Sequence, residues 1–425
     1  MTERLHVLVI GGGIGGLCLA HGLRRNGVSV AVYERTETRT DWLQGYRIHI
    51  SPRGARALHD CLPPELWKAF LTTAGTPAAG FGFLTHKLRD LLFLDESLIA
   101  GDARDAADRH HSISRITLRN VLLSGLDDVL HLGKEFTRYE QAADGTVTAH
   151  FADGTSATGD VLVAADGANS RVRQQYLPRA QRIDTGIVAI AGKVPLTDHA
   201  RAWMPSRLST SVNNIMPPKD SFMFTAVWEG DRARLDPPPG VSVDTTQDYV
   251  FWAYAAKRDA YPDGALDTDD GPALRALTQR MIGGWHPDLL HLVAESDPGT
   301  VAPVVVRSMA PVPAWKTTTV TLLGDAIHNM TPMAGIGANT ALRDADLLCR
   351  KLTAADRGEA ALLPAIAEYE AAMRDYGFAA VKLSLRNARQ ATAPSRLARA
   401  AFKAVLRAVN AIPVLKRQFA RSMNS

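Results

Sequence analysis

Short apolar runs alternate with a helical pattern at the start of the chain. The run Leu5–Ile10 is followed by a helical pattern from about Ile14 to Asn26 and by a second run, Val28–Tyr33. Similar runs recur at Asp160–Ala165 and Leu322–Leu323. Such nearly continuous apolar runs are typical of strands buried on both faces of a parallel sheet. The pattern therefore predicts an α/β fold with a Rossmann-like parallel sheet.

The middle of the chain follows a different pattern, with strand-like segments separated by Pro, Gly and Asp. These segments are Gly186–Val194, Ser221–Trp228, Tyr249–Ala256 and Val304–Met309. They predict an antiparallel β-sheet interleaved with the parallel framework. Their large aromatic side chains are candidate walls of a substrate pocket, and ordinary packing of the sheet is the alternative for each of them. The candidates are Phe222, Phe224, Trp228, Trp252 and Tyr254.

The end of the chain, residues 376–425, is basic and helical in pattern. It contains ten Lys and Arg residues and no Asp or Glu. Within it, Ser395–Asn410 places apolar residues such as Leu397 and Val405 on one helix side and basic residues such as Arg396 on the other. Two interpretations stay open. The helix docks on its own domain with the basic face in solvent, or it makes a weak contact with a membrane surface.

A glycine-rich turn between the first strand and the first helix carries the first chemical signal. The sequence Gly11-Gly12-Gly13-Ile14-Gly15-Gly16 satisfies G-x-G-x-x-G. In this motif the first glycine allows a tight turn, the second lets the backbone approach a pyrophosphate, and the third lets the helix pack on the strand. Glu34 ends the next strand, where an acid can accept hydrogen bonds from a ribose. The sequence thus predicts a dinucleotide site, with NAD and FAD both open.

Two further turns follow predicted buried strands. Asp166-Gly167 comes after the third apolar run and is followed by Arg171, whereas Gly324-Asp325 comes after the fourth. The loop Pro332–Gly337 then leads into a helix that begins at about Ala338. Its glycines allow backbone amides to approach a flat ring, and the helix N-terminus favours negative charge beside it.

These three stretches, in this order, resemble the class A flavoprotein monooxygenases, the aromatic hydroxylase family of the para-hydroxybenzoate hydroxylase type. The resemblance extends from Val7 to about Leu352. It implies that Asp325 contacts the ribityl chain of FAD and that Arg115 reaches the pyrophosphate, with Arg119 a weaker candidate. The resemblance implies further FAD contacts for Arg35 at the adenine end, for Arg47 on a predicted strand at Gly45–Ser51, and for residues of the second and third stretches. The latter are Asp166, Gly167, Arg171, Gly324, Pro332, Gly335, Gly337, Ala338 and Asn339.

The resemblance also implies a domain division and an activity. We expect a discontinuous FAD-binding domain in residues 1–180 and 301–375, a substrate-binding sheet domain in 181–300, and the basic helical segment 376–425. The implied activity is hydroxylation of a small hydrophobic substrate, aromatic or polyketide-like, by O2 through a flavin C4a-hydroperoxide. NAD(P)H is the transient reductant. Epoxidation of an alkene or polyene, and a non-catalytic FAD-binding protein, remain alternatives. The sequence identifies no catalytic base.

Composition and residue spacing bear on the compartment of the protein and on whether it binds a metal or nucleic acid. Cys18, Cys61 and Cys349 are few and far apart, which is typical of buried thiols in a reducing compartment. With no signal-like leader and no apolar run of about eighteen residues, we expect a cytoplasmic protein. Neither His110-His111 nor His131 has metal-site spacing, so no metal is expected. His328 is expected to be structural. The first 375 residues are net acidic and contain no recognition motif, which disfavours nucleic-acid binding.

Overall fold

The computed structural model describes residues 4–38, 46–100, 104–218, 220–231, 235–237, 241–244 and 247–424. The strands among these residues are β1 His6–Ile10, β2 Ser29–Tyr33, β3 Arg47–Ile50, β4 Gly80–Thr85, β5 Asp90–Asp95, β6 His111–Ser114, β7 Leu130–His131, β8 Phe136–Gln141, β9 Val147–Phe151, β10 Ser156–Gly159, β11 Val161–Ala164, β12 Arg182–Pro195, β13 Val212–Met216, β14 Ser221–Trp228, β15 Tyr249–Lys257, β16 Ala302–Met309 and β17 Val320–Leu322. The α-helices are α1 Ile14–Arg25, α2 Pro52–Cys61, α3 Pro64–Thr73, α4 Glu96–Ala100, α5 Arg115–Leu123, α6 Arg171–Tyr176, α7 Asp198–Trp203, α8 Ser206–Thr210, α9 Gly271–Met281, α10 Pro287–Ala294, α11 Asp325–His328, α12 Gly337–Asp356, α13 Leu362–Ala391, α14 Arg396–Ala411 and α15 Pro413–Asn424.

A five-stranded parallel sheet forms the framework, in the order β17-β11-β1-β2-β7. In its register Ile10 lies beside both Tyr33 and Ala164, and Ala164 lies beside Leu322. The strands therefore end at one common edge, which is where ligands bind in open α/β sheets. The predicted Rossmann-like sheet is confirmed.

A seven-stranded sheet, in the order β16-β12-β15-β14-β13-β4-β5, forms the second layer. The four predicted strands of this sheet are present, and neighbouring pairs among them are antiparallel. One face packs against α9 and α10 through buried side chains such as Leu274 and Leu289. The other face opens toward the parallel sheet. Smaller sheets are β10-β9-β8 and β3-β6. The strand β3 corresponds to the predicted strand Gly45–Ser51, of which Gly45 lies outside the described residues.

Two features of the structure bear on the predicted division of the chain, which stays a prediction. The second sheet recruits β4 and β5 from the N-terminal part, because β4 pairs in parallel with β13 and β5 pairs with β4. In addition, α13 runs without interruption through residue 375, where a domain boundary was predicted. The basic segment thus begins inside a helix whose first half packs on α12.

The last two helices, α14 and α15, pack beside β5 and α4. Their inward residues Leu406 and Ala420 join a small buried cluster with Leu91, Leu94 and Met216. Among the described residues, no helix combines the length and apolar character needed to cross a bilayer.

The three cysteines are all buried thiols, as expected. Cys61 and Cys349 both lie close to Gly22, where α2 and α12 approach α1. Contact with Cys18 and burial raise the pKa of Cys61, and contact with Cys61 and burial raise the pKa of Cys349. Cys61 and Cys349 therefore stay protonated and act as small core residues.

Candidate active site

A cavity of about 2230 Å³ lies between the two large sheets, at the edge where the parallel strands end. Except for the weaker candidate Arg119, which is buried, the residues predicted to hold a cofactor line this cavity. They are Gly11, Gly13, Ile14, Gly15, Gly16, Glu34, Arg35, Arg47, Arg115, Asp166, Gly167, Arg171, Gly324, Asp325, Pro332, Gly335, Gly337, Ala338 and Asn339. The structure thus brings together stretches that are more than three hundred residues apart.

The glycine turn fits the backbone geometry that the motif predicts. Gly11 has a φ of 112°, and a Cβ there would lie 2.3 Å from the Ala165 carbonyl oxygen. A Cβ on Gly16 would lie 2.4 Å from the Gly11 carbonyl oxygen, so this glycine allows α1 to approach the turn. Gly13 differs, because the nearest atom to its Cβ position is 3.9 Å away. Its missing side chain leaves space on the cavity side.

Glu34 holds the glycine turn from the neighbouring strand. Its Oε2 accepts a 2.6 Å hydrogen bond from the Gly12 amide, and its Oε1 accepts hydrogen bonds from the Thr36 amide and hydroxyl. Because a carboxylate has about four acceptor positions, one remains for a ligand hydroxyl. On the other side of the turn, the Arg119 Nε donates to the Gly12 carbonyl at 3.2 Å. Arg119 therefore supports the turn from beneath.

Two helix N-termini point into the cavity without a capping side chain. Gly13 precedes α1 and Ile336 precedes α12, and neither residue provides a side-chain cap. The first turn of each helix also contains no acidic residue. Their first backbone amides are therefore available to an anionic group, which the helix dipole attracts. The loop before α12 turns through Gly335, with a φ of 64°.

Asp166 is half-buried where β11 ends, beside the glycine turn. Its Oδ2 accepts hydrogen bonds from the amides of Arg171 and Val172, at 2.9 and 3.3 Å. Its Oδ1 is buried and, within the described part of the chain, has no hydrogen-bond partner. Burial raises the pKa of this carboxyl group. The Arg171 guanidinium instead bridges Glu135 and the Phe136 carbonyl, at 2.7 and 2.9 Å.

Gly324 and Asp325 form the third turn, which a buried acid of α12 holds in place. Gly324 has a φ of 60°, and its amide donates to the Asp344 Oδ2 at 2.7 Å. The same oxygen lies 2.6 Å from the His328 Nε2, and Tyr376 donates to the other oxygen. Burial opposes protonation of His328, but the Asp344 carboxylate outweighs it and raises the pKa of the imidazole. His328 is fully buried and structural, as expected.

Side chains from β3, α5 and α12 also line the cavity. Arg115 donates to the Tyr46 hydroxyl at 2.8 Å. Arg47 donates to the Ser112 hydroxyl at 2.6 Å, and burial lowers the pKa of its guanidinium to about 10. Asn339 ties α12 to the strand β3 and to α2, because its amide side chain bonds the Ser51 amide and the His49 carbonyl.

On β14 and β15 the sheet face that lines the cavity is apolar and alternates phenylalanine with alanine. Of the predicted wall residues, Phe222 and Phe224 line the cavity. Their neighbours across the strands are small, and Phe251 in turn lies opposite a small residue. The cross-strand pairs are Phe222–Ala255, Phe224–Ala253 and Ala226–Phe251.

Three predicted wall residues do not line the cavity, and for them the prediction is wrong. Trp252 and Tyr254 point to the opposite face of β15, where they join the core with the helices α9 and α10. Trp252 is fully buried and donates to the Ser296 hydroxyl at 2.6 Å. Trp228 is buried at the end of β14, against Gly75. Phe251 was missed because aromatic residues occupy both alternating positions of β15.

A histidine pair, formed by His49 on β3 and His110 just before β6, was also missed. His49 and His110 stack with ring centroids 5.0 Å apart, and their Nε2 and Nδ1 atoms lie 3.0 Å from each other. Both residues line the cavity. Burial, with the charges of Arg47 and His110, lowers the pKa of His49 to about 3. Within the described residues, no cluster of three or more His, Cys, Asp or Glu side chains could hold a metal ion.

Comparisons with known proteins agree with this geometry. A family model described as FAD binding domain matches residues 4–258 and 286–384. The urate hydroxylase of Klebsiella pneumoniae, described as FAD-dependent, is 30% identical over 370 residues, which cover 86% of this chain and 85% of that protein. The dual O-methyltransferase/FAD-dependent monooxygenase elcB of Phaeosphaeria nodorum is 31% identical over 80% of this chain. The chain spans only 39% of the length of elcB.

Solved structures give the same result. A protein from Photorhabdus luminescens, provisionally assigned as an FAD-containing monooxygenase, superposes with a TM-score of 0.81 at 40% identity. The match covers 92% of this chain and 99% of that one. The Klebsiella pneumoniae protein HpxO, solved with FAD and uric acid, has a TM-score of 0.78 at 24% identity and covers 100% of this chain and 97% of its own. At that identity the likeness shows the fold alone.

The residues of the cavity fit FAD. The open space beside Gly13 and the uncapped N-terminus of α1 suit a pyrophosphate. The Asp166 Oδ1, which has no hydrogen-bond partner among the described residues, is available to accept a hydrogen bond from a ligand. The resemblance and the fold class inferred from the sequence are confirmed by the family match and the superpositions. The chain therefore belongs to the FAD binding domain family, the family of the FAD-dependent monooxygenases, and FAD is its cofactor.

Proposed function

We propose that this protein uses FAD, NAD(P)H and O2 to hydroxylate a small hydrophobic substrate, aromatic or polyketide-like. The observation that carries the substrate class is the apolar sheet face. Phe222, Phe224 and Phe251 stand around a floor of alanines on β12, β14 and β15. Aromatic side chains prefer stacked or edge contacts with other rings, and the alanines leave room for a flat, extended molecule.

The groups that attract anions lie apart from the apolar sheet face, which supports the binding of FAD and a substrate in one cavity. The glycine turn, the helix N-termini and Arg115 are on the parallel-sheet side, where they would hold the pyrophosphate of FAD. Glu34 would accept a ribose hydroxyl with its remaining acceptor position, and Arg35 would lie at the adenine end. Asp325 would accept hydroxyl groups of the ribityl chain. The loop Pro332–Asn339 would place backbone amides beside the flavin ring.

The protein's own contribution is to hold the substrate and to keep water out. When bound, FAD supplies the oxygen-activating chemistry. The phenylalanine and alanine face would fix an apolar ring system, because displacing water from this surface stabilises the complex by about 25 cal/mol per Å² of apolar area. A closely packed apolar wall also limits the water that would divert the oxidant from the substrate. Arg47 would add positive charge on the opposite wall.

The test is product analysis with labelled oxygen. The purified yellow holoenzyme is incubated with NADPH or NADH, ¹⁸O2 and a panel of apolar polycyclic phenols, with urate included as a polar comparison. We expect one ¹⁸O atom in the product of an apolar phenol and substrate-dependent oxygen uptake. Turnover of urate alone would contradict the hydrophobic substrate class. Reduced nicotinamide oxidation without incorporation of oxygen from any compound would contradict hydroxylation.

One observation favours a second candidate, the epoxidation of an alkene or polyene. The described residues of β12–β16 that face the cavity include Asn214 and Lys193 but no carboxylate. A phenol needs a base to assist its deprotonation, whereas an alkene does not. A polyene in the same ¹⁸O2 assay separates the two reactions, because its epoxide opens in acid to a diol and a phenol product does not.

A further inference from the structure

Part of the apolar side of α14 faces outward, although Leu406 and Val409 of the same side pack inward. Leu397 is 82% exposed, Val405 is 57% exposed, and Ile412, just after the helix, is 46% exposed. With Ala401 and Ala408, these residues follow the spacing i, i+4, i+8, i+11 and i+15, so they form one stripe. We call this set of residues the outer stripe.

Two basic side chains, Arg399 and Lys403, lie on the inward face beside Leu406. Arg399 is buried, and its guanidinium donates to the Ser221 and Ala391 carbonyl oxygens at 2.8 and 2.6 Å. Lys403 donates to the Pro217 carbonyl at 2.9 Å. Burial lowers the pKa of both groups. These bonds, with the buried Leu406, fix the rotation of α14 about its axis. The outer stripe therefore faces away from the protein because polar contacts hold the opposite side.

The exposed apolar surface continues into the next helix. Val414 and Leu415, at the start of α15, are exposed, and so is Phe402 on α14. Exposed basic residues flank the stripe, including Arg396 and Arg407. An apolar stripe bordered by Lys and Arg is the arrangement of helices that lie in the interface of a bilayer.

We propose that the outer stripe of α14, with the start of α15, docks on the surface of an anionic membrane. The positive charge of the surrounding segment favours an anionic membrane over a second copy of the chain. Residues 376–425 contain ten basic residues and no acidic one, so two copies joined symmetrically through this face would bring like charges together. Anionic lipid headgroups attract the same residues, at about 1 kcal/mol for each Lys or Arg near the surface. The stripe then enters the headgroup and acyl boundary.

The docking face adjoins the cavity. Ala398, Phe402 and Phe419 line the cavity from α14 and α15, and Phe402 is also partly exposed beside the outer stripe. Docking would therefore bring this end of the cavity to the lipid, where apolar compounds concentrate. This last step rests on the proposed function, whereas docking itself does not.

The experiment measures binding of the full-length holoenzyme to vesicles in the absence of substrate. Vesicles of phosphatidylglycerol and phosphatidylcholine are compared with vesicles of phosphatidylcholine alone, by flotation and by light scattering. The test variant is Leu397→Asp/Val405→Asp, which removes apolar side chains that touch little of the protein. The matched control is Leu363→Asp, because Leu363 is 46% exposed on α13, away from the stripe. Flavin absorbance and circular dichroism check that every variant is folded and loaded.

We expect the wild type to bind the anionic vesicles and to bind phosphatidylcholine weakly. The stripe variant should lose at least about tenfold in affinity for the vesicles. The reason is that Leu397 and Val405 would be buried in the lipid, and losing two such apolar contacts costs more than about 1.4 kcal/mol. Leu363→Asp should bind like the wild type. Arg396→Glu/Arg407→Glu should weaken binding to anionic vesicles and reduce its salt dependence.

Absence of vesicle binding by the wild type overturns the proposal. A wild-type dimer that Leu397→Asp/Val405→Asp converts to a monomer, without vesicle binding, assigns the face to a second copy instead. Both results leave the oxygen-labelling assay unaffected, so the failure of docking and the failure of the proposed function are distinguishable.

Discussion

Asp344 accepts a hydrogen bond from the Gly324 amide at 2.7 Å, from a position on α12 twenty residues away. The bond joins α12, which begins at the end of the loop Pro332–Gly337, to the turn that carries Asp325. The same carboxylate pairs with the buried His328. One buried acid therefore positions two parts of the proposed FAD site, which lie at opposite ends of the third sequence motif.

We expect Asp344→Asn to destabilise the protein and to weaken FAD binding together. Breaking a buried ion pair costs about 3–5 kcal/mol, because the remaining charge stays buried without a partner. The shifted Gly324 turn should also lower FAD affinity. Urea denaturation measures the first effect and flavin fluorescence titration measures the second.

Asp346→Asn is the matched control for Asp344→Asn. Asp346 lies on the same helix and pairs with Arg350, whose side chain is exposed, so its loss should cost about 1 kcal/mol or less. Equal effects of the two substitutions on FAD affinity would contradict a positioning role for Asp344.

Two glycines of the first turn should respond differently to alanine. Gly11→Ala places a Cβ 2.3 Å from the Ala165 carbonyl oxygen at a φ of 112°, so we expect a loss of about 3 kcal/mol or more in the free energy of unfolding. Gly13→Ala meets its nearest atom at 3.9 Å and should fold normally. Its methyl group enters the space assigned to the pyrophosphate and should weaken FAD binding by about tenfold or more.

Calorimetry of the apoproteins and FAD titration separate these effects. If Gly13→Ala binds FAD as well as the wild type, the pyrophosphate does not lie against the glycine turn.

Adjacent residues of β15 should separate substrate recognition from stability. Phe251→Trp enlarges a side chain on the cavity face, so we expect a rise in KM for an apolar substrate and a small change in stability. Trp252→Phe removes the hydrogen bond to Ser296 on the core face and should cost about 1–3 kcal/mol, with KM nearly unchanged. Steady-state kinetics and urea denaturation of the two variants provide the comparison. The opposite pattern would mean that the substrate does not contact the sheet face.

Phe251 and Trp252 also show which part of the site the sequence does not predict. The cofactor side was predictable, because strands of a parallel sheet end at one edge and each motif directly follows such a strand. The direction of each β15 side chain was not, since Phe251, Trp252 and Tyr254 place aromatic rings at both alternating positions. Only the pairing with β14, in which Phe224 lies opposite Ala253, decides which face meets the cavity.

The rotation of α14 was unpredictable for a related reason. Its pattern separates basic from apolar residues, and the ordinary expectation is that the apolar side packs inward. The inward position of Arg399 depends on carbonyl groups at Ser221 and Ala391, which the helix meets only in the folded chain. The hydrogen bonds of the buried Arg399 guanidinium to these carbonyl oxygens outweigh the preference of the apolar side chains of α14 for the inward face.

Acid should destabilise the protein through buried neutral histidines. Burial lowers the pKa of His21 to about 4, and its Nε2 lies 2.8 Å from the Leu122 carbonyl oxygen. In the unfolded chain the imidazole has an ordinary pKa of about 6.5. Between these two values the unfolded state binds more protons, so stability falls as the pH is lowered from about 6.5 to about 4. The full contribution of this one group is about 3 kcal/mol.

His21→Gln keeps a donor for the Leu122 carbonyl and removes the titration. We expect its free energy of unfolding to fall less steeply than that of the wild type between pH 6.5 and pH 4, as followed by urea denaturation at each pH. His49, whose pKa burial lowers to about 3, should leave part of the acid sensitivity in place. A His21→Gln profile that coincides with that of the wild type would show that folding does not lower the pKa of His21.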